Sequence, residues 1–176
     1  MKARRIAAAV AIMVALTLGA GMGSSASATG NEQFSFNAPV ISGFPGGRSV
    51  QLTGGGAYSL PDFVHAGGSF SCLSDISAGR FDGCLAGQGV RWDTAMVLPS
   101  TTFKCTGAAT EALKAAETGD KTVVLLADFY RQGDGNDESF TAQMIVSTTD
   151  LDPVAEGVQN IWIQQVGCGT ALTHFN

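Results

Sequence analysis

Asp128, Tyr130 and Arg131 end the otherwise apolar run TVVLLADFYR. An aspartate in such a run is disfavoured unless a partner or water meets its carboxylate. Arg91 and Arg131 are the candidate partners, giving a cross-strand ion pair. The alternative is a carboxylate kept for ligand binding or acid–base work. Arg91, Trp92 and Asp93 form a second group. On a strand, Arg91 and Asp93 share one face and Trp92 takes the other. Trp92 then reads either as core, packed with Trp162, or as an exposed ring on which a sugar or other planar ligand stacks.

A third group is the acidic stretch Asp134, Asn136, Asp137 and Glu138, interrupted by Gly135. Calcium takes six to eight oxygen ligands, and a glycine-containing acidic loop can supply several. The spacing is not that of an EF-hand, because Ser139 stands where its glycine belongs and Ile145 where its closing acid belongs. The plainer reading is a solvated turn built from common turn residues. No other cofactor is implied.

Other chemistries lack their parts. The two histidines, His65 and His174, lie far apart, with no H-E-x-x-H and no G-x-S-x-G nucleophile elbow. Zinc-protease and serine-hydrolase chemistry are therefore not indicated. The glycine run Gly54-Gly55-Gly56 is not followed by a helical pattern, which a phosphate cradle needs. It reads as a bulge or tight corner of a sheet.

The elements that position these groups are strands. Val123, Leu125, Ala127 and Phe129 form one alternating stripe, and Phe140, Ala142, Met144 and Val146 form another. Gln132 to Glu138 joins them, so the pair reads as a long hairpin with an acidic tip. Shorter extended stretches follow Phe34–Ile41, with a break at Pro39, then Val50–Thr53, Phe63–Cys72 with a bend at Gly67-Gly68, and Val90–Leu98. Phe103–Cys105, Val158–Val166 and Ala171–Phe175 complete the set. Only Ala108–Thr118 (AATEALKAAET) has helical composition. Seven to nine short strands with glycine-rich turns predict an all-β fold, either an antiparallel sandwich or a small closed barrel, with one short helix.

The chain opens with Lys2, Arg4 and Arg5, an uncharged run from Ile6 to Leu18, and Ala26-Ser27-Ala28. Those are the three parts of a secretory signal peptide. Residues 1–28 are therefore expected to be removed, leaving 29–176 as one secreted β domain, extracellular or in the cell wall. That portion keeps seven of the ten Lys and Arg and all fifteen Asp and Glu. Such a balance argues against nucleic-acid and anionic-membrane partners, which are bound through Lys and Arg. No later stretch is apolar enough to span a membrane. Cys72, Cys84, Cys105 and Cys168 are even in number, and in an exported chain this predicts two disulfides. Three pairings are open; Cys72–Cys84 with Cys105–Cys168 is favoured, since the first closes a short loop and the second ties mid-chain to the last strand.

The stretches FVHAGGSFSC, GVRWDTA, LLADFYRQGDGNDESFTAQMIVS and QNIWIQQVGCG resemble those of a group of small secreted actinobacterial proteins. The resemblance implies export and a shared fold but no activity. TGGGAY is similar to glycine-rich strands of allene-oxide-cyclase-like barrels, again implying no function. The expectation is a non-enzymatic module that binds an extracellular ligand or protein. The alternatives are a small barrel enzyme using carboxylates, or a protease inhibitor presenting Arg80 on the loop between Cys72 and Cys84. A concave pocket around a buried acid would mark the enzyme, and an exposed apolar patch or flat polar face the binding module.

Overall fold

A computed structural model describes residues 31–135 and 137–176. The expected leader at 1–28 and Asn136 of the acidic tip lie outside the described residues. Eight strands close an antiparallel barrel: β1 (Glu32–Gly43), β2 (Ser49–Ser59), β3 (Phe63–Cys72), β4 (Arg91–Leu98), β7 (Thr122–Tyr130), β8 (Phe140–Ser147), β9 (Ile161–Ile163) and β10 (Gly167–Phe175). Neighbours in the barrel follow chain order, and β10 closes on β1. The hairpin of β5 (Ser100–Phe103) and β6 (Lys114–Glu117) leaves the wall between β4 and β7. The fold is thus an up-and-down barrel with a two-stranded flap, and closure removes the free sheet edges. No described helix is long and apolar enough to cross a membrane.

The period-2 patterns dictate the interior. Leu125 pairs with Met144, Ala127 with Ala142 and Phe129 with Phe140, all buried. β1 keeps Phe34, Phe36, Ala38 and Ile41 inside although the last step is three residues. A register shift between Ala38 and Ile41 supplies the extra residue, so Pro39 interrupts the ladder without ending the strand. The interior is filled by rings: Phe36 lies 5.9 Å from Trp92, and Phe129 lies 5.2 Å from Phe70. Phe81, from the loop between β3 and β4, plugs one end, 4.9 Å from Phe129 and 5.1 Å from Phe140.

The glycines of β2 and β3 form neither the expected corner nor the expected bend. They pair in continuous register, Gly54 with Gly68 and Gly55 with Gly67. A Cβ at Gly54 would fall 2.5 Å from the Trp92 ring, and one at Gly68 would strike the Thr53 carbonyl. Gly54 is bare so that the Trp92 ring fits against it, where its indole N–H donates to Thr53 O at 2.9 Å, and Gly68 is bare so that the β2 backbone can approach. Trp92 is core, as expected, but it does not pack with Trp162. Strand alternation sends Trp162 outward, 5.5 Å from Phe103 of the flap.

The expected helix over Ala108–Thr118 is absent, and part of it is β6. Helix propensity is a weak prior, and eleven residues scarcely outlast the nucleation cost. Tertiary packing wins here. The outward Val124, Ile145 and Trp162 need a cover, which Phe103 and Ala116 supply and Cys105–Cys168 fastens. The strand expected over Val158–Val166 shrinks to three residues. Before it, the Asn160 side chain replaces strand pairing, donating to Ala171 O at 2.9 Å and accepting from Ala171 N at 2.7 Å. Both favoured disulfides are present, Cys72–Cys84 and Cys105–Cys168.

Glu111 anchors the flap. Its carboxylate accepts from the amides of Cys105, Thr106 and Gly107, from the Thr106 hydroxyl, and from Lys114 at 2.7 Å. Lys114 also reaches Asp152 at 3.2 Å. Burial raises the Glu111 pKa, but the bonds from Lys114, Thr106 and the backbone outweigh it and hold the group down to about 2. A lowered folded-state pKa contributes stability above the ordinary carboxyl value and loses it as pH falls through the folded value. We expect Glu111→Gln to cost about 3 kcal/mol at pH 7, since Glu111 is largely shielded from water. Denaturant titrations between pH 5 and pH 2 check this: the difference between wild type and variant should shrink across that window.

Candidate functional site

Strand alternation places the sequence-selected residues on the outer wall. Leu126, Asp128 and Tyr130 face outward from β7, and Arg91 and Asp93 face outward from β4. The expected pocket-lining face is therefore outside the barrel, because the opposite face of β7 fills the interior. Arg91 pairs with Tyr130 across the two strands, and Asp93 with Asp128. The Arg91 guanidinium lies 3.8 Å from the Tyr130 ring centre and donates to Asp93 at 2.6 Å. The Tyr130 hydroxyl donates to the other Asp93 oxygen at 3.2 Å. Cation, ring and carboxylate hold one another in a platform that is about 40% exposed at Arg91 and Asp93. Burial, then the Asp93 charge, push the Tyr130 phenol up, so it stays a donor.

Asp128 is not paired with Arg91 or Arg131, as the sequence suggested. It accepts from Thr141 at 2.9 Å across the β7–β8 ladder. Arg91 is taken by Asp93, the nearer carboxylate on the same face. Arg131 turns the other way, to Asp134 at 3.1 Å and the Gly83 carbonyl at 3.0 Å. Asp134 also accepts from Ser139 at 2.6 Å, and hydrogen bonds from Ser139 and Arg131 hold its carboxyl below the usual range. The acidic tip thus spends its first carboxylate on bracing Arg131 and Ser139 within the hairpin, and Arg131 is the residue that reaches the disulfide loop. Asp137 and Glu138 are exposed. A second group, Cys105, Glu111 and Asp152, brings its ligand-type atoms within 4.8 Å of one another. Its sulfur is in a disulfide and Lys114 bridges its carboxylates, so it is an ion-pair cluster.

Beside the platform the wall is low. The registers align an outward row of His174, Ser35, Gly55, Gly67, Asp93, Asp128 and Thr141. Gly55 and Gly67 leave a shelf between the Arg91–Tyr130 platform and the β1–β10 seam, bordered by the paired hydroxyls of Thr53 and Ser69, 2.8 Å apart. At the seam a cleft of about 360 Å³ is lined by Ser35, Asn37, Leu172 and His174. Leu172 is 81% exposed and stands opposite Asn37 on the neighbouring strand. Asp93 is among the sequence candidates, on the face of Arg91; the shelf glycines and Leu172 are not. Their only sequence signal was strand parity, and which strands lie side by side is decided by closure.

The disulfide loop presents an exposed Arg80, but Phe81 is buried and Asp82 N bonds back to Gly79 O at 3.3 Å. The chain turns at Arg80, whereas a protease takes its substrate extended, strand-like. Compared with protein-family models, curated proteins and solved structures, the chain matches none.

Proposed function

We propose that the protein is an exported, non-enzymatic binding module that holds its ligand on the outer wall, across the Gly55–Gly67 shelf and against Arg91 and Tyr130. The observation that carries this reading is the placement of the polar platform. It faces solvent as a preassembled surface, while the interior behind it is closed by Trp92, Phe129 and their neighbours. Both disulfides accord with an oxidising extracellular setting. A guanidinium clamped on an aromatic ring, a bare shelf and flanking hydroxyls suit a flat or extended ligand rich in hydroxyl groups. The carboxylate pair Asp93 and Asp128 lies on an open wall, not in a cleft of the kind that catalysis by a buried acid needs.

The test is retention on purified insoluble cell-wall polysaccharide. The wild type is expected to be retained, and Arg91→Ala with Tyr130→Ala to weaken retention by about tenfold, on the order of 1.4 kcal/mol. Circular dichroism should be unchanged, because both side chains lie outside the core. Equal retention of the double variant would remove the platform from the site. Release of soluble sugar by the wild type, lost in Asp128→Asn, would favour the enzyme instead.

A further inference from the structure

Asp152 is the one charged side chain buried among the described residues, and it meets the flap at Lys114. Its carboxylate stands 3.2 Å from Lys114 Nζ, which also donates to Glu111 at 2.7 Å. These are the least exposed ion pairs among the described residues: Lys114 keeps 19% of its side-chain surface open, and each carboxylate 11%. Phe103 is the register partner of Lys114, and the Cys105 sulfur, closed in its disulfide, lies within 4.8 Å of both carboxylates. Burying an ion pair costs both partners their hydration, which the pairing seldom returns in full.

Each group is held by its own surroundings before the three meet. Lys114 opens β6, which pairs along its length with β5. Glu111 is fixed by the amides of Cys105, Thr106 and Gly107. Asp152 is set by a turn in which its own N–H donates to Asp150 at 3.0 Å and its carbonyl accepts from Ala155 N at 2.9 Å. An amine and a carboxyl group fixed at contact distance react as one molecule, at effective concentrations of roughly 10⁵–10⁸ M when well aligned. Such proximity favours condensation, and condensation removes both buried charges.

We infer that Lys114 and Asp152 are the two ends of an intramolecular amide cross-link that ties the flap to the 148–160 segment. One proton passes from the Lys114 ammonium to Asp152 Oδ2, leaving a neutral amine and a neutral acid. Nζ then attacks Cγ. A second proton follows from Nζ to Oδ2, the Cγ–Oδ2 bond breaks, and water leaves with both protons. The new Nζ–Cγ bond keeps one N–H, and no oxidant or other reactant enters. Glu111 stays ionised beside Nζ and offsets the positive charge that the nitrogen gains on attack. Burial lowers the Lys114 pKa, but its bonds to Glu111 and Asp152 outweigh this and raise it, so the neutral amine is scarce and the reaction slow. It need happen only once in each molecule. The cross-link adds to Cys105–Cys168 a tie that reductants do not open. It is separate from the outer-wall platform and does not depend on that reading.

The test is peptide mapping of the purified protein after reduction of both disulfides. The peptides holding Lys114 and Asp152 are expected as one branched species, lighter than their sum by one water. Lys114→Arg keeps the positive charge without the reactive amine and should give the two peptides separately, at full mass. On a denaturing gel run under reduction, the wild type should migrate ahead of that variant, because its loop stays closed. If the variant does not fold, the wild-type map decides alone. Two linear peptides of full mass in the wild type would overturn the assignment. So would a water loss confined to the Asp152 peptide or persisting in Lys114→Arg, since that marks a cyclised aspartate and not a cross-link.

Discussion

Met144→Asp is expected to leave no folded protein, whereas Gln143→Asp, one residue away, should fold. Met144 is fully buried and faces Leu125 inside the barrel. An aspartate there has no cation within the described interior, and an unpaired buried charge costs more than about 4–5 kcal/mol. That is comparable with the whole stability of a domain, about 5–15 kcal/mol. Gln143 points outward and bonds Thr101 of the flap at 2.5 Å. Losing that bond costs about 1 kcal/mol. Soluble yield and far-ultraviolet circular dichroism of the two variants check the contrast. Equal tolerance would mean that the β7–β8 register is wrong, since a one-residue slip exchanges the two faces.

Replacing Cys105 and Cys168 together by alanine is expected to cost about 4 kcal/mol, on the loop-entropy relation for a separation of 63 residues. At this chain length that lowers the melting temperature by roughly 10 °C. Removing Cys72–Cys84, with a separation of 12, should cost about 3 kcal/mol. The two losses should also differ in kind. Cys105–Cys168 fastens the flap over Val124, Ile145 and Trp162, and the Trp162 indole donates to Lys104 O at 2.8 Å. Its loss should red-shift tryptophan emission and speed hydrogen exchange in Thr101–Phe103 and Lys114–Glu117, the flap strands. The Cys72–Cys84 variant should instead loosen Phe81 and the barrel end. Unchanged exchange in the flap strands of the first variant would mean that apolar packing alone holds them.

What depends on neighbours along the chain was legible in the residues alone. Alternation at Val123–Phe129 and Phe140–Val146 is local, and it placed the hairpin, its inward residues and the outward Asp128 and Tyr130 correctly. Arg91, Trp92 and Asp93 divided between faces as strand parity requires. Even cysteine number and loop lengths led to the favoured pairing. Where these readings ran out, the missing quantity was a partner distant in sequence. Ala108–Thr118 is helical by composition, but β5, Glu111 and the outward Trp162 decide that Lys114–Glu117 is a strand. Gly54 carries no local sign that the Trp92 ring, from another strand, will lie against it. Arg91 had two carboxylates within reach on parity alone, and only the settled geometry gave it Asp93 and left Asp128 to Thr141. Closure of the barrel put Ser35, Gly55, Gly67 and Asp93 in one row. Periodicity says which way a side chain points; which side chain it then meets is set by long-range register and closure, and those are properties of the whole chain.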